Sequence, residues 1–167
     1  NKSGVKWKKR DFFGEPGHIL LRGINPINLD AKGRFAIPTK YREELMESCD
    51  RQLIVTVAVN EHCVGENGCL WLYPLPEWDK VEQAILKKPT LNKMLTKLKR
   101  FLIGNATECE MDAQKLRTFA GMDKKIMLVG QLNKFEIWNE EAWNAKEAEW
   151  MNSDDTEGLE ELGSLTF

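Results

Sequence analysis

Leu70-Trp71-Leu72-Tyr73-Pro74-Leu75-Pro76-Glu77-Trp78 and Phe135-Glu136-Ile137-Trp138-Asn139-Glu140-Glu141-Ala142-Trp143 can be laid over one another without a gap, with their apolar and aromatic positions matched. Such self-similarity marks a duplicated structural unit. Each copy reads as a strand running into a helix. In the second, Asn139 is a good helix cap, and Glu140 and Glu141 suit the positive end of a helix dipole. In the first, Pro74 and Pro76 set the same boundary, because proline excludes strand pairing and is tolerated only in a first helical turn.

Working outward, another strand precedes each copy. Leu53, Val55, Val57 and Val59 alternate with Ile54, Thr56 and Ala58, and Lys125 to Gly130 takes the corresponding place later. A short helical stretch precedes each of these strands, Lys40 to Cys49 and Ala113 to Ala120. The order strand, helix, strand, strand, helix is therefore written twice, which predicts an α+β fold with pseudo-two-fold symmetry inside one chain. Between the copies, Glu77 to Gly104 reads as two helices broken near Pro89-Thr90. Leu91, Leu95, Leu98 and Leu102 form a core-facing stripe, and Lys93, Lys97 and Arg100 form a solvated basic face rather than a DNA-contacting one.

Composition narrows the function. The 167 residues carry 24 Lys plus Arg against 26 Asp plus Glu, a net charge of −2, with 42% hydrophobic positions. That supports one core of domain size or two small ones. A near-neutral chain does not coat nucleic acid with its whole surface, so any such role is local. Basic charge does concentrate locally: Arg22, Lys32, Arg34, Lys40 and Arg42 face Asp30 alone between positions 22 and 42. Asp154, Asp155, Glu157, Glu160 and Glu161 form an acidic tail. No apolar run reaches the roughly 18–20 residues of a membrane helix. Residues 1–21 are basic but lack the apolar stretch and cleavage site of a secretory signal, so a cytoplasmic protein is expected.

Four cysteines, Cys49, Cys63, Cys69 and Cys109, contain no C-x-x-C pair and read as reduced thiols. His62, Cys63 and Cys69 are a loose potential metal set, and no metal is expected. Neither a P-loop, a dinucleotide fingerprint nor a nucleophile elbow is present, so no catalytic residue, cofactor or enzymatic activity is expected.

The sharpest local signal is Ile27-Asn28-Leu29-Asp30-Ala31-Lys32-Gly33-Arg34-Phe35-Ala36-Ile37-Pro38. Ile27 and Leu29 alternate with polar residues, Phe35 and Ile37 resume the alternation, and Asp30 to Gly33 is turn chemistry, with Gly33 free to go left-handed. Asp30 and Arg34 then meet across the hairpin mouth. They form either a simple surface ion pair or an oriented guanidinium whose fork binds phosphate or a guanine edge, with Lys32 adding phosphate attraction. Thr39 is a candidate helix cap that sets Lys40 and Arg42 beside the hairpin.

Arg22-Gly23-Ile24-Asn25, Asn28 to Arg34, Ile37-Pro38-Thr39-Lys40-Tyr41-Arg42, Leu72 to Trp78 and Leu128 to Trp138 together resemble the bacterial MraZ family, from about Arg22 to about Trp143. The resemblance implies a duplicated swapped-hairpin β-barrel of the AbrB type with flanking helices, assembled into a homo-oligomeric ring. It also implies a transcriptional regulator, associated with the nucleoid, that binds short direct repeats in the promoter of its own division and cell-wall gene cluster. The family's Asp-x-x-x-Arg signature falls on Asp30 and Arg34, with Lys32 and Gly33 inside it. Charge and proximity add Arg22, Lys40 and Arg42. Where the family carries a second such hairpin, Asp112 here runs directly into Ala113, so Asp112 is its only candidate remnant. The expected division is 1–21 as an extension, 22–78 as the first repeat, 79–107 as a helical connector, 108–150 as the second repeat and 151–167 as an acidic tail. The competing expectation is a ring-forming protein-interaction module without DNA readout.

Overall fold

A computed structural model describes residues 20–59, 69–88, 92–109 and 120–152. Strand β1 (Ile24–Asn28) leads through the hairpin into helix α1 (Thr39–Cys49), then β2 (Leu53–Val57), β3 (Cys69–Pro74) and α2 (Leu75–Leu86). Helix α3 (Lys93–Leu98) widens into a π-helical turn (Lys99–Ile103) before β4 (Thr107–Glu108), β5 (Lys125–Gly130), β6 (Phe135–Asn139) and α4 (Glu140–Asn152).

The six strands form one antiparallel sheet in the order β1-β5-β6-β3-β2-β4. Exchanging the copies, β1 for β4, β2 for β5 and β3 for β6, reproduces that order in reverse, which is the pseudo-two-fold symmetry expected from the duplicated motif. The axis passes through the Trp71–Glu136 pair, flanked by Leu70 opposite Ile137 and Leu72 opposite Phe135. The first strand of each copy is swapped: β1 pairs with β5, Ile27 opposite Ile126, and β4 pairs with β2, Thr107 opposite Val55. The α+β class with flanking helices is as expected. The sheet is open among the described residues, since its end strands β1 and β4 each pair on one side only, so the barrel is not closed.

Period-2 alternation sends side chains to two faces. On one, Val55, Val57, Leu70, Leu72, Ile126, Leu128, Phe135 and Ile137 are buried beneath Tyr41, Leu45 and Cys49 of α1. On the other, Tyr73, Trp78, Ile85 and Leu102 gather under α2 and α3, and Trp138 and Trp143 gather under α4. The repeat-related tryptophans therefore serve the sheet and its helices. Asn139 caps α4, its Oδ1 accepting from Glu141 N at 2.9 Å and Ala142 N at 3.2 Å. Helix α2 begins at Leu75, with Pro76 in its first turn.

Two local expectations are corrected. The return limb Phe35 to Ile37 is not a ladder strand: β1 gives its hydrogen bonds to β5, and Phe35 and Ile37 instead pack half-buried against the core. Thr39 is not the cap of α1; it is the first helical residue, Pro38 holds the cap position, and no side chain caps that end. Residues 113–119 of the Ala113–Ala120 helix expected from the sequence, and the break at Pro89-Thr90, fall outside the described residues, with Ala120 in a turn, although α2 stops at Leu86 and α3 starts at Lys93.

Candidate nucleic-acid interface

The hairpin is built around one carboxylate. Asp30 Oδ1 accepts from the backbone N–H of Lys32 at 2.9 Å and of Arg34 at 2.8 Å, and Oδ2 accepts from Arg34 Nε at 2.9 Å. Backbone bonds close the mouth, Asp30 N to Arg34 O at 2.8 Å and Gly33 N to Asp30 O at 2.9 Å. Gly33 sits at φ +74°, a conformation that only glycine adopts without strain. The Arg34 backbone N–H, joined by the Arg34 guanidinium and the Lys32 N–H, holds the Asp30 carboxyl below its usual range.

The pair is nevertheless a surface feature, with side chains 58% exposed for Arg34 and 44% for Asp30. Asp30 occupies only Nε of the guanidinium. The terminal nitrogens have no partner among the described residues, so the planar fork is pre-oriented and open to an acceptor. A fork held this way suits a phosphate or the O6/N7 edge of guanine. Lys32 is exposed on the same turn.

The other basic residues divide. Arg42 Nε donates to Ile37 O at 2.8 Å, bracing the return limb. Lys40 lies 4.9 Å over the Tyr41 ring and beside Gly23. The Arg22 carbonyl accepts the Tyr41 hydroxyl proton. Arg22 and Lys40 therefore stand at the start of β1, separated from the turn by the length of that strand at about 3.3 Å per residue. They are not brought together with Arg34. Lys93 and Lys97 of α3 and Arg100 of the π-turn are exposed, lining a shallow depression with Thr96 and Phe101, while Leu95, Leu98 and Leu102 face inward.

Sequence reasoning passed over the residues that root the hairpin. Tyr41 is buried, meets Phe135 edge-on at 4.9 Å, and accepts from Asn25 Nδ2 at 2.9 Å; that amide also donates to Leu128 O at 3.0 Å. This clamp ties α1, β1 and β5 together. A polar residue between the apolar Ile24 and Pro26 of β1 and a Tyr on the buried face of α1 were the available signals.

Asp112 lies outside the described residues, but strand register locates its position in the repeat. Asn25 opposite Leu128 and Thr107 opposite Val55 are equivalent pairs, which sets Asp112 at the place of Asp30. From there to the equivalent residues Leu53 and Ile126, the second copy is nine positions shorter than the first. Among the described residues no cluster of His, Cys, Asp and Glu could hold a metal ion, and no helix is long and apolar enough to cross a membrane. His62 and Cys63 lie outside those residues; Cys69 is buried.

The family model described as "MraZ protein, putative antitoxin-like" matches residues 20–101 and again 102–162. A relative from Methylococcus capsulatus named "Transcriptional regulator MraZ" is 48% identical over 159 residues, covering 89% of this chain and all of its own. Relatives of the same name from Thioalkalivibrio sulfidiphilus and Pseudomonas aeruginosa are 43% and 47% identical, covering 81% and 75% of this chain and 91% and 84% of theirs. With two consecutive matches to one family model and relatives this similar along most of its length, the chain belongs to the MraZ family of transcriptional regulators.

Proposed function

We propose that this protein is a sequence-specific DNA-binding regulator of the division and cell-wall gene cluster, reading short direct repeats in its own promoter through the Asp30–Arg34 hairpin. The observation that carries the reading is the guanidinium fastened to a carboxylate by Nε alone while most of its surface faces solvent. Arg34 is the reader, Asp30 and Gly33 its positioning residues, and Lys32 a phosphate contact. Arg42 acts through the return limb. Arg22 and Lys40, at the far end of β1, and Asp112, in the shortened second copy, are auxiliary positions.

One hairpin with so few charges binds DNA weakly, because each phosphate contact releases about one counterion and a single turn covers few bases. Several copies carried on a homo-oligomeric ring engage a spaced array of repeats at high effective concentration. The protein then works in the cytoplasm on the nucleoid, with DNA and copies of itself as partners. A salt titration of binding to a promoter with direct repeats, against a scrambled duplex, tests this. The expected result is steep salt dependence on both duplexes with tighter binding to the repeats. Equal affinity for the two at every salt concentration would overturn it.

A further inference from the structure

The strand swap brings residues of the second copy to the hairpin of the first. Asn28, the last residue of β1, stands opposite Lys125, the first residue of β5. One step further, Leu29 N donates to Lys124 O at 2.8 Å, which carries the ladder past β1 to the residue just before Asp30. Residues paired in this way have Cα atoms about 5.5 Å apart. Two lysines therefore stand at the root of the turn that holds Arg34, although about ninety positions separate them from it in the chain.

Both lysines are exposed, and neither ammonium has a hydrogen-bond or ion-pair partner among the described residues. Leu29 packs on the core beside Ile27, across from Ile126. Alternation then turns the Lys124 side chain to that side of the sheet and the Lys125 side chain to the other, where Met127 packs with Trp138 and Trp143. With Lys32 and Arg34 they make four cations against two carboxylates, the exposed Asp123 and the Asp30 already engaged by Arg34. The repeat-related partner of Lys124 in the first copy is Arg51, also exposed, so this position is basic in both copies.

We infer that Lys124 and Lys125 are phosphate contacts of the DNA site, one on each side of the hairpin, so that a single reading head is assembled from both copies of the repeat. The inference rests on the reading of the Asp30–Arg34 hairpin as a DNA reader. A turn entering the major groove has a phosphate backbone on either side of it. Cations rooted on both sides meet the two backbones while Arg34 reaches the base edges, which fixes the angle of entry without adding sequence information.

The test compares the parent with Lys124→Gln/Lys125→Gln, Lys124→Arg/Lys125→Arg, Lys87→Gln/Lys88→Gln and Arg34→Ala. Fluorescence anisotropy over a salt series is read on a direct-repeat promoter and on a scrambled duplex, with circular dichroism and light scattering checking fold and assembly. Lys87 and Lys88, exposed just past α2, give the same change in net charge on another element. Lys124→Gln/Lys125→Gln is expected to lower the log–log salt slope by about one unit per lysine at each engaged hairpin, and to weaken both duplexes by the same factor. Lys124→Arg/Lys125→Arg and Lys87→Gln/Lys88→Gln keep the parental slope. Parental slope and affinity in Lys124→Gln/Lys125→Gln, while Arg34→Ala loses discrimination, would overturn the inference and leave the reading of Arg34 standing. An equal loss in Lys87→Gln/Lys88→Gln would reduce the effect to net charge, and a loss confined to the repeat duplex would make the lysines base readers; either result overturns the inference. If Arg34→Ala also binds as the parent does, the reading itself fails and the inference falls with it.

Discussion

Replacing Arg34 separates charge from geometry. Because the side chain is more than half exposed and its one side-chain partner among the described residues is the surface carboxylate of Asp30, Arg34→Ala leaves the melting temperature within about 2 °C of the parent. On DNA the loss is larger. A bidentate arginine contact to a base edge contributes about 1–3 kcal/mol, so each engaged hairpin loses about 5- to 150-fold, and several hairpins on one assembly compound that loss. Arg34→Lys keeps the charge but lacks the Nε that Asp30 holds at 2.9 Å and lacks the planar fork. The lysine variant is expected to keep the salt slope and lose discrimination between repeat and scrambled duplexes. The alanine variant loses both, its slope falling by about one unit per engaged hairpin. Fluorescence anisotropy across a salt series, with light scattering to verify assembly, measures all of this. An Arg34→Ala protein that assembles normally and retains parental affinity and discrimination would refute the reasoning; loss of assembly itself would make the hairpin structural.

Three further outcomes are expected. Phe135→Ala, at a fully buried ring in edge contact with Tyr41, costs about 3–5 kcal/mol in urea unfolding, and a cost under about 1 kcal/mol would contradict the core described here. Asn139→Ala removes the acceptor for two N–H groups of α4 and costs about 1 kcal/mol, visible as a lower unfolding midpoint with unchanged slope. Burial pushes the Cys109 thiol up to about 11 and the Tyr73 phenol up to about 12. Both stay neutral in the folded protein at a pH where the unfolded chain ionises them. Their contribution to stability is therefore full below about pH 9 and declines as pH climbs toward 11 and 12, and a flat melting temperature over that range would contradict the burial of both groups.

Much of the molecule was legible because duplication repeats its own punctuation. The match of Leu70–Trp78 to Phe135–Trp143 located both strand-to-helix junctions, and the Asn139 cap and Pro74 boundary stand where local chemistry set them. Asp30 and Gly33 announced the turn for the same reason: a short-range carboxylate and a positive φ need no distant partner. The swap was expected only through the family resemblance and not from the strand patterns, since alternation tells which face a strand buries and not which strand lies beside it; tertiary pairing puts Ile27 across from Ile126. The return limb misled because its alternation reflects packing of Phe35 and Ile37 on the core rather than ladder hydrogen bonds. Lys40 looked close to Arg34 by residue count, yet the return limb carries it back along β1 to Gly23 and Tyr41.

The crossed pairing also governs how the chain can mature during synthesis. Strand β1 leaves the ribosome early, but its neighbour among the described strands, β5, begins about a hundred residues later at Lys125. Until then its apolar side waits without a mate, and the first half has an unfilled sheet edge that a neighbouring nascent chain could seize. Closure depends on contacts distant in the chain, so folding should be slow for a protein of this size and sensitive to crowding of unfinished copies on one messenger.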